Sequence, residues 1–333
     1  MNKIVILLAL LVIYCSSCKE SKYKSIAISK PIVATEVPVF NADSAYSYVK
    51  KQVDFGPRVP ASKAWSSCAN WFLSQIKNKN VTLHEQKAVV KNHSNVSLPV
   101  HNIMAQYNPT ATKRILIASH WDSRAIADQD TKQQKEPILG ADDGASGVGI
   151  MLEMMRLLDA NNNLKIGVDF LFIDTEDVGP ADYEATQLSD IERMNAWCLG
   201  SQYWATNKIP SKYNASFGVL LDMVGGEGNT FTMEGTSTMF AASAMKKVWD
   251  AGNRLGYSSY YLYDKTPAVT DDHLFINQIA RIPTIDIINH QINQEPSFGK
   301  CWHTHCDDMS RISKSTLKAV GQTLMQVVYD EGL

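Results

Sequence analysis

The sequence predicts one α/β domain, built on a mixed, mostly parallel central sheet with helices on both faces. Three observations carry that prediction. Apolar runs of strand length alternate along the chain with stretches of helical apolar spacing, the pattern of crossover units on a parallel sheet. No repeat or low-complexity tract interrupts the alternation, and the 333 residues are 45% hydrophobic and 20% charged, ordinary for a folded chain. That composition excludes a disordered chain, a collagen-like repeat and a coiled coil. A prior of about 150 residues per domain allows two domains, but α/β folds often run past about 250 residues as one.

Residues 1–17 stand apart. Lys3 is followed by an unbroken run of ten apolar residues from Ile4 to Ile13 and then Cys15-Ser16-Ser17-Cys18. Ten residues rise only about 15 Å as a helix, too little for a hydrocarbon core of about 30 Å. The segment reads as an export signal, outside fold reasoning. The small residues before Cys18 resemble a bacterial lipoprotein signal, with Cys18 acylated as the new N-terminus, periplasmic or surface-facing; simple secretion is the alternative. Residues 18–43, rich in Lys, Ser and Pro, read as a tether to a body spanning 44–333.

Within that body, helices are expected over 44–53 and 61–76, broken by Phe55-Gly56-Pro57-Arg58-Val59-Pro60. Strands follow at 81–90, 101–107 and 114–119, then a helix at 144–158 and an apolar strand at 166–173. A helix at 199–206, a strand at 216–223, a helix at 241–255, a strand at 283–288 and a closing helix at 313–329 complete the pattern. Charge is close to balanced, 32 Lys and Arg against 34 Asp and Glu. With no basic run longer than a pair such as Lys246-Lys247, the footprint of a nucleic-acid binder is missing. Cys68, Cys198, Cys301 and Cys306 form no Cys-x-x-Cys pattern; a Cys301 to Cys306 bridge and buried free thiols both stay open.

The functional argument rests on where charged residues fall. His120-Trp121-Asp122 ends one strand, Asp174-Thr175-Glu176-Asp177 a second, Asp222 a third, and His303 lies after a fourth. In open α/β sheets the ligand crevice lies outside the carboxyl ends of the strands, so these groups converge. Carboxylates and imidazoles crowded together repel unless a cation is present, and a His/Asp/Glu set without thiolate suits catalytic Zn²⁺ with an open coordination position. His-x-Asp or Glu-Asp alone is common in cores and loops. The informative feature is the ordered set His120-Trp121-Asp122-Ser123, Gly140 to Gly147, Glu176-Asp177, Asp222 and Trp302-His303-Thr304.

In that order the set resembles the zinc exopeptidase family, whose aminopeptidases hold two zincs with His, Asp, Glu, Asp and His. The resemblance implies Asp143 as central ligand, with Asp177 and His303 completing one zinc, Glu176 as general base, and His120 with Asp222 as second-metal or supporting residues. Asp177 stands where the family commonly carries Glu. A closer resemblance, over about residues 44–331, is to the zinc-dependent glutaminyl cyclases. It is carried by Phe55 to Pro60, Asn102-Ile103 with Asn108-Pro109-Thr110, Asp271-Asp272-His273, and Phe298 with Trp302-His303-Thr304. The longer stretch between Asp122 and Asp143, and residues 178–196, depart from that pattern.

This closer resemblance implies one zinc, on Asp143, Asp177 and His303, polarising the γ-carboxamide of an N-terminal glutamine for attack by its own α-amine. Pyroglutamate and ammonia would result. Glu176 would shuttle the proton, Asp222 and Asp272 would hydrogen-bond each other and the leaving group, and Trp302 and Phe298 would wall the pocket. Expected partners are peptides or proteins with N-terminal Gln, no nucleic acid, and a membrane only through the lipid anchor. The alternative enzyme is a di-zinc aminopeptidase using the same residues; a receptor domain that has lost catalysis is a third reading. Trp121 reads as packing, His305 as exposed, His290 as loop, and Gly225-Gly226-Glu227-Gly228, lacking a following Lys-Ser/Thr, as a turn rather than a phosphate loop.

Overall fold

The computed structural model describes residues 36–161, 163–291 and 293–332, so the signal segment 1–17, Cys18 and most of the 18–43 tether lie outside the described residues. The compact unit runs from Val37 to Leu333, and so begins ahead of residue 44. Phe40 explains the difference. Its side chain is buried, a Cβ on Gly321 would lie 2.3 Å from its ring, and its N–H donates to Gln322 Oε1 at 2.8 Å.

Two helices lead: α1 (Ala42–Val53), whose first N–H groups are capped by Asn41, and α2 (Lys63–Lys77), capped by Ser62. The hairpin β1 (Val81–Lys91) and β2 (Ser97–Tyr107) follows, then β3 (Arg114–His120), α3 (Ala145–Ala160) and β4 (Gly167–Ile173). Short helices α4 (Asp182–Ala185) and α5 (Asp190–Asn195) fill the segment that departs from the family pattern, before α6 (Leu199–Thr206) and β5 (Phe217–Asp222). Next come β6 (Phe231–Met233), α7 (Gly235–Arg254), β7 (Tyr261–Lys265), α8 (Asp272–Phe275), β8 (Thr284–Ile288) and α9 (Lys314–Gly332). Helix α7 starts earlier than the expected 241 because Ala241, at φ −141°, kinks it away from a first turn capped by Glu234.

The main sheet has the order β1-β2-β4-β3-β5-β8, with β6 and β7 as a separate parallel pair. Strands β4, β3, β5 and β8 are mutually parallel and every residue in them is buried; β1 and β2 add an antiparallel edge. Alternate residues face opposite layers. Ile115 and Ile117 of β3 join Phe170, Phe172, Val219 and Leu221 under α1, α3 and α9, while Leu116 and Ala118 join Leu171, Leu220 and Trp204 of α6. The register pairs His120 with Ile173 and Asp222 with Ile288. The carboxyl ends of four strands are thereby level, which brings the charged strand-end residues together.

The amino ends are tied by a buried ion pair. Arg114 donates through Nε to Asp169 Oδ2 at 2.7 Å, and the same oxygen accepts the Tyr213 hydroxyl at 2.8 Å. Removing one partner of a buried pair strands the other charge in a low-dielectric interior. Asp169→Ala is therefore expected to lower unfolding stability by about 3–5 kcal/mol in urea titrations, and an undetectable change would show that the pair does not anchor the sheet.

Candidate active site

The level strand ends open onto a cavity of about 640 Å³, bordered by Asp143, Glu176, Asp222, Asp271 and His303. Much of the acid-rich sequence here builds the loops rather than the cavity wall. Asp122 accepts from the N–H groups of Glu176 and Asp177 at 3.1 and 3.2 Å, so it fixes the backbone of the two acids that follow β4. Asp174 accepts Trp65 Nε1 at 2.9 Å and the His101 N–H at 2.7 Å. Asp307 accepts the Asp142 and Asp143 N–H groups at 2.7 and 3.1 Å, and Asp142 in turn takes the Gly225 N–H at 2.7 Å. Arg58, of the Gly-Pro-Arg segment, spends its guanidinium on the carbonyls of Trp121, Leu139 and Gly140 at 2.7–2.8 Å. Gly144 has φ +87°, and a Cβ there would lie 2.9 Å from both the Asp122 carbonyl and His120 Cε1. Only glycine lets the start of α3 approach His120 this closely.

Of the four clusters of donors within 4.8 Å among the described residues, two share Asp143, one joining it with Asp177 and His303 and the other with His120 and Asp222. His303 Nε2 lies 3.4 Å from Asp177 Oδ1 and 3.8 Å from Asp143 Oδ2; Asp177 closes the set despite its short side chain. His120 Nε2 lies 3.0 Å from Asp143 Oδ1 and 3.1 Å from Asp222 Oδ1. Asp177 Oδ2 is buried with no hydrogen-bond partner. Nitrogen and oxygen donors without thiolate, and a buried carboxylate oxygen left free, fit a divalent cation of the Zn²⁺ type.

Burial dominates the electrostatics. It raises the Glu176 carboxyl well above its ordinary range, with Asp177, Asp271 and Asp272 adding to the rise and His120 opposing it. Burial also lifts Asp177 to about 6 and Asp222 to about 8, against the pull of His303 and His120 respectively. For His120 burial alone would lower the value, but Asp122, Asp143 and Asp222 outweigh it and the imidazole is raised well above 6.5. The Cys198 thiol donates to Glu176 Oε1 at 3.3 Å, so one carboxylate oxygen is held from behind.

Trp302 and Phe298 line the cavity and pack on Met223, Val269 and Ile288. The Trp302 ring stacks on His303 with centroids 3.9 Å apart. Asp272 departs from expectation. Both its oxygens are buried without a hydrogen-bond partner, and Asp222 bonds His120 instead, so the expected Asp222 to Asp272 bond is not formed. Asp271 lines the cavity in its place, because it is the extended residue before α8 whereas Asp272 is the first residue of the helix, and successive side chains there diverge. Trp197, another wall residue, was not foreseen: it follows the unaligned segment 178–196 and carries no periodic signal.

His290 is a loop residue, as read, and is in addition buried, lines the cavity and stacks on Phe298 at 5.3 Å. His305 is not exposed but half-buried, with its N–H donated to Asp130 Oδ2 at 2.9 Å. Trp121 is packing, fully buried between Trp65 and Phe72 at 5.6 and 5.5 Å. Cys301 and Cys306 are bridged, and Cys68 and Cys198 are free and buried.

The model of peptidase family M28 matches residues 102–328. The chain is similar to the solved glutaminyl cyclase of Bacteroides thetaiotaomicron bound to N-acetylhistamine, 45% identical, covering 89% of this chain and 99% of that one with a TM-score of 0.84. It is equally similar to a solved leucine aminopeptidase precursor from Bacteroides thetaiotaomicron VPI-5482, 45% identical over 89% of this chain and 99% of that one, TM-score 0.83. Among curated proteins, the glutaminyl-peptide cyclotransferase of Boiga irregularis is 24% identical over 253 residues, 69% of this chain and 65% of that protein. The chain thus spans just under two thirds of the length of that relative.

If Asp143, Asp177 and His303 form the tighter cation site, His303→Ala is expected to leave a folded protein that no longer retains stoichiometric zinc after dialysis. Full metal content by mass spectrometry of the variant would show the donor set to be wrong.

Proposed function

The chain belongs to peptidase family M28, and we propose that it is a zinc-dependent glutaminyl-peptide cyclotransferase, converting N-terminal glutamine of peptides or proteins to pyroglutamate with release of ammonia. The observation that carries this reading is the aromatic wall beside the donor set. Trp302, Phe298 and Trp197 border a cavity that has Glu176 and Asp271 on its polar side. Flat apolar faces suit a carboxamide and the ring it becomes, and the reading accords with the cyclase similarity.

Zinc held by Asp143, Asp177 and His303 would supply Lewis-acid polarisation of the γ-carboxamide. The rest is the work of the chain. The α-amine of the substrate attacks Cδ of its own side chain, so no enzymic nucleophile is required. In the exchange the amine gives up one proton and the departing ammonia gains one, and no water is consumed. Glu176 is placed to carry that proton, and the upward shift of its carboxyl by burial makes the protonated form easier to reach, as a proton carrier requires. Asp222, pushed upward by burial, stays bonded to His120. Asp271 is the cavity acid available to the substrate amine.

A second reading has one observation in its favour. His120, Asp143 and Asp222 form a second complete donor set, which supports two zincs and hydrolysis of N-terminal residues, with Glu176 activating water. The apolar run and Ser16-Ser17 before Cys18 support export with a lipid anchor at that cysteine, which would present the site outside the cytoplasm.

Incubation of the zinc-loaded protein with a Gln-initiated and an Ala-initiated peptide separates the two readings by mass spectrometry. The Gln peptide alone is expected to lose the mass of one ammonia; loss of a whole residue from the Ala peptide would replace cyclisation with aminopeptidase activity. Glu176→Gln is expected to keep its zinc while turnover falls about 10²–10⁴-fold. Undiminished turnover would remove Glu176 from proton transfer.

A further inference from the structure

Between Asp122 and Asp143 the sequence departs from the family pattern, and in the structure this segment grips the loop that carries His303. Asp128 Oδ1 lies 3.4 Å from His303 Nδ1, the ring nitrogen turned away from the donor set, at ion-pair distance; that buried nitrogen has no hydrogen-bond partner, and Asp128 is the carboxylate that faces it. The Gln129 N–H donates to the His303 carbonyl at 3.3 Å, and Asp130 Oδ2 accepts the His305 N–H at 2.9 Å. Three successive residues thus hold the backbone and ring of 303–305. Behind them Arg124, 1% exposed, clamps both oxygens of Asp128 at 2.7 Å through Nε and Nη2. Its third nitrogen, Nη1, donates to Asp177 Oδ1 at 3.1 Å. The same guanidinium lies 4.8 Å over the Trp197 ring, which stacks on His303 at 5.9 Å.

His303 needs such a grip. Its φ is +54°, a left-handed backbone that a residue with a side chain keeps only where its surroundings impose it. The other end of the loop is closed by the Cys301–Cys306 bridge and by Asp307 on the Asp143 backbone. A carboxylate facing the second ring nitrogen of a histidine favours the tautomer with its proton there and so presents Nε2 as the donor.

We propose that Asp128 is the positioning residue of the metal centre, fixing His303 through Nδ1, and that Arg124 couples it to Asp177 so that two of the three donors move as one unit. This rests on the reading of Asp143, Asp177 and His303 as the zinc ligands, but its test does not depend on which reaction the zinc serves. The zinc dissociation constant of the purified protein is measured by competition with a chromophoric chelator. Asp128→Asn is expected to weaken zinc about 10–100-fold. Asp130→Asn, which loosens the same loop through His305 but touches no donor, is expected to change it less than threefold. A purely structural role for the segment would weaken both variants alike, and that result, or a zinc constant for Asp128→Asn within twofold of the parent, would overturn the proposal. If Asp128→Asn does not accumulate, Arg124→Lys keeps the charge but loses the fork, and at least a fivefold loss of zinc affinity is expected of it; an unchanged constant again overturns the assignment. A parent protein that binds no zinc would refute the ligand reading itself, whereas tight parental binding with an indifferent Asp128 would refute the positioning role alone.

Discussion

Crowding of negative charge at one end of a parallel sheet is the constraint on which the rest of this site depends. Two like charges 4 Å apart oppose each other by about 4 kcal/mol at an effective dielectric constant near 20, and here Asp143, Asp177, Asp222, Glu176 and Asp271 share one cavity. The chain answers in three ways. Asp122, Asp142, Asp174 and Asp307 are turned to backbone N–H groups, which satisfies them and shapes the loops. Glu176 and Asp222 are shifted upward by burial, toward their neutral forms. Asp143 and Asp177 are left with His303 as donors that a cation would bring into balance.

That division of labour separates scaffold from chemistry. The anchoring carboxylates form charge-assisted bonds to main-chain donors, strong interactions that position without reacting. The cavity acids, by contrast, line the space a substrate would occupy. Because one fold hosts different reactions, outcome depends on the wall rather than the sheet. Trp302, Phe298 and Trp197 make that wall flat and apolar next to the donors, and the proposed cyclase reading rests on that feature.

The segments that depart from the family pattern have a common place in the structure. Residues 124–130 hold the His303 loop from one side, and the stretch after β4 ends in Trp197, which lies between Arg124 and His303. Both segments pack around the candidate donor set as supporting contacts. Coupling between them runs through one guanidinium fork, which is rigid and planar and so transmits orientation as well as charge.

The resemblance to the zinc exopeptidase family pointed to Asp143, while the pattern of the sequence itself determined the alternation of strands and helices, the parallel core and the set His120, Glu176, Asp177, Asp222 and His303. These were legible because strand periodicity is local and a parallel sheet places all strand ends at one edge. The kink at Ala241, the start of the body ahead of residue 44, and the exchange of Asp271 for Asp272 at the cavity were decided by tertiary structure. So were the anchoring task of Asp122, the wall position of Trp197 and the contact of Asp128 with His303. Each of these depends on which way a side chain turns at an irregular backbone position, or on two loops far apart in the chain meeting in space. Neither is encoded in any local period, and so both are settled only when the strand ends have been brought level.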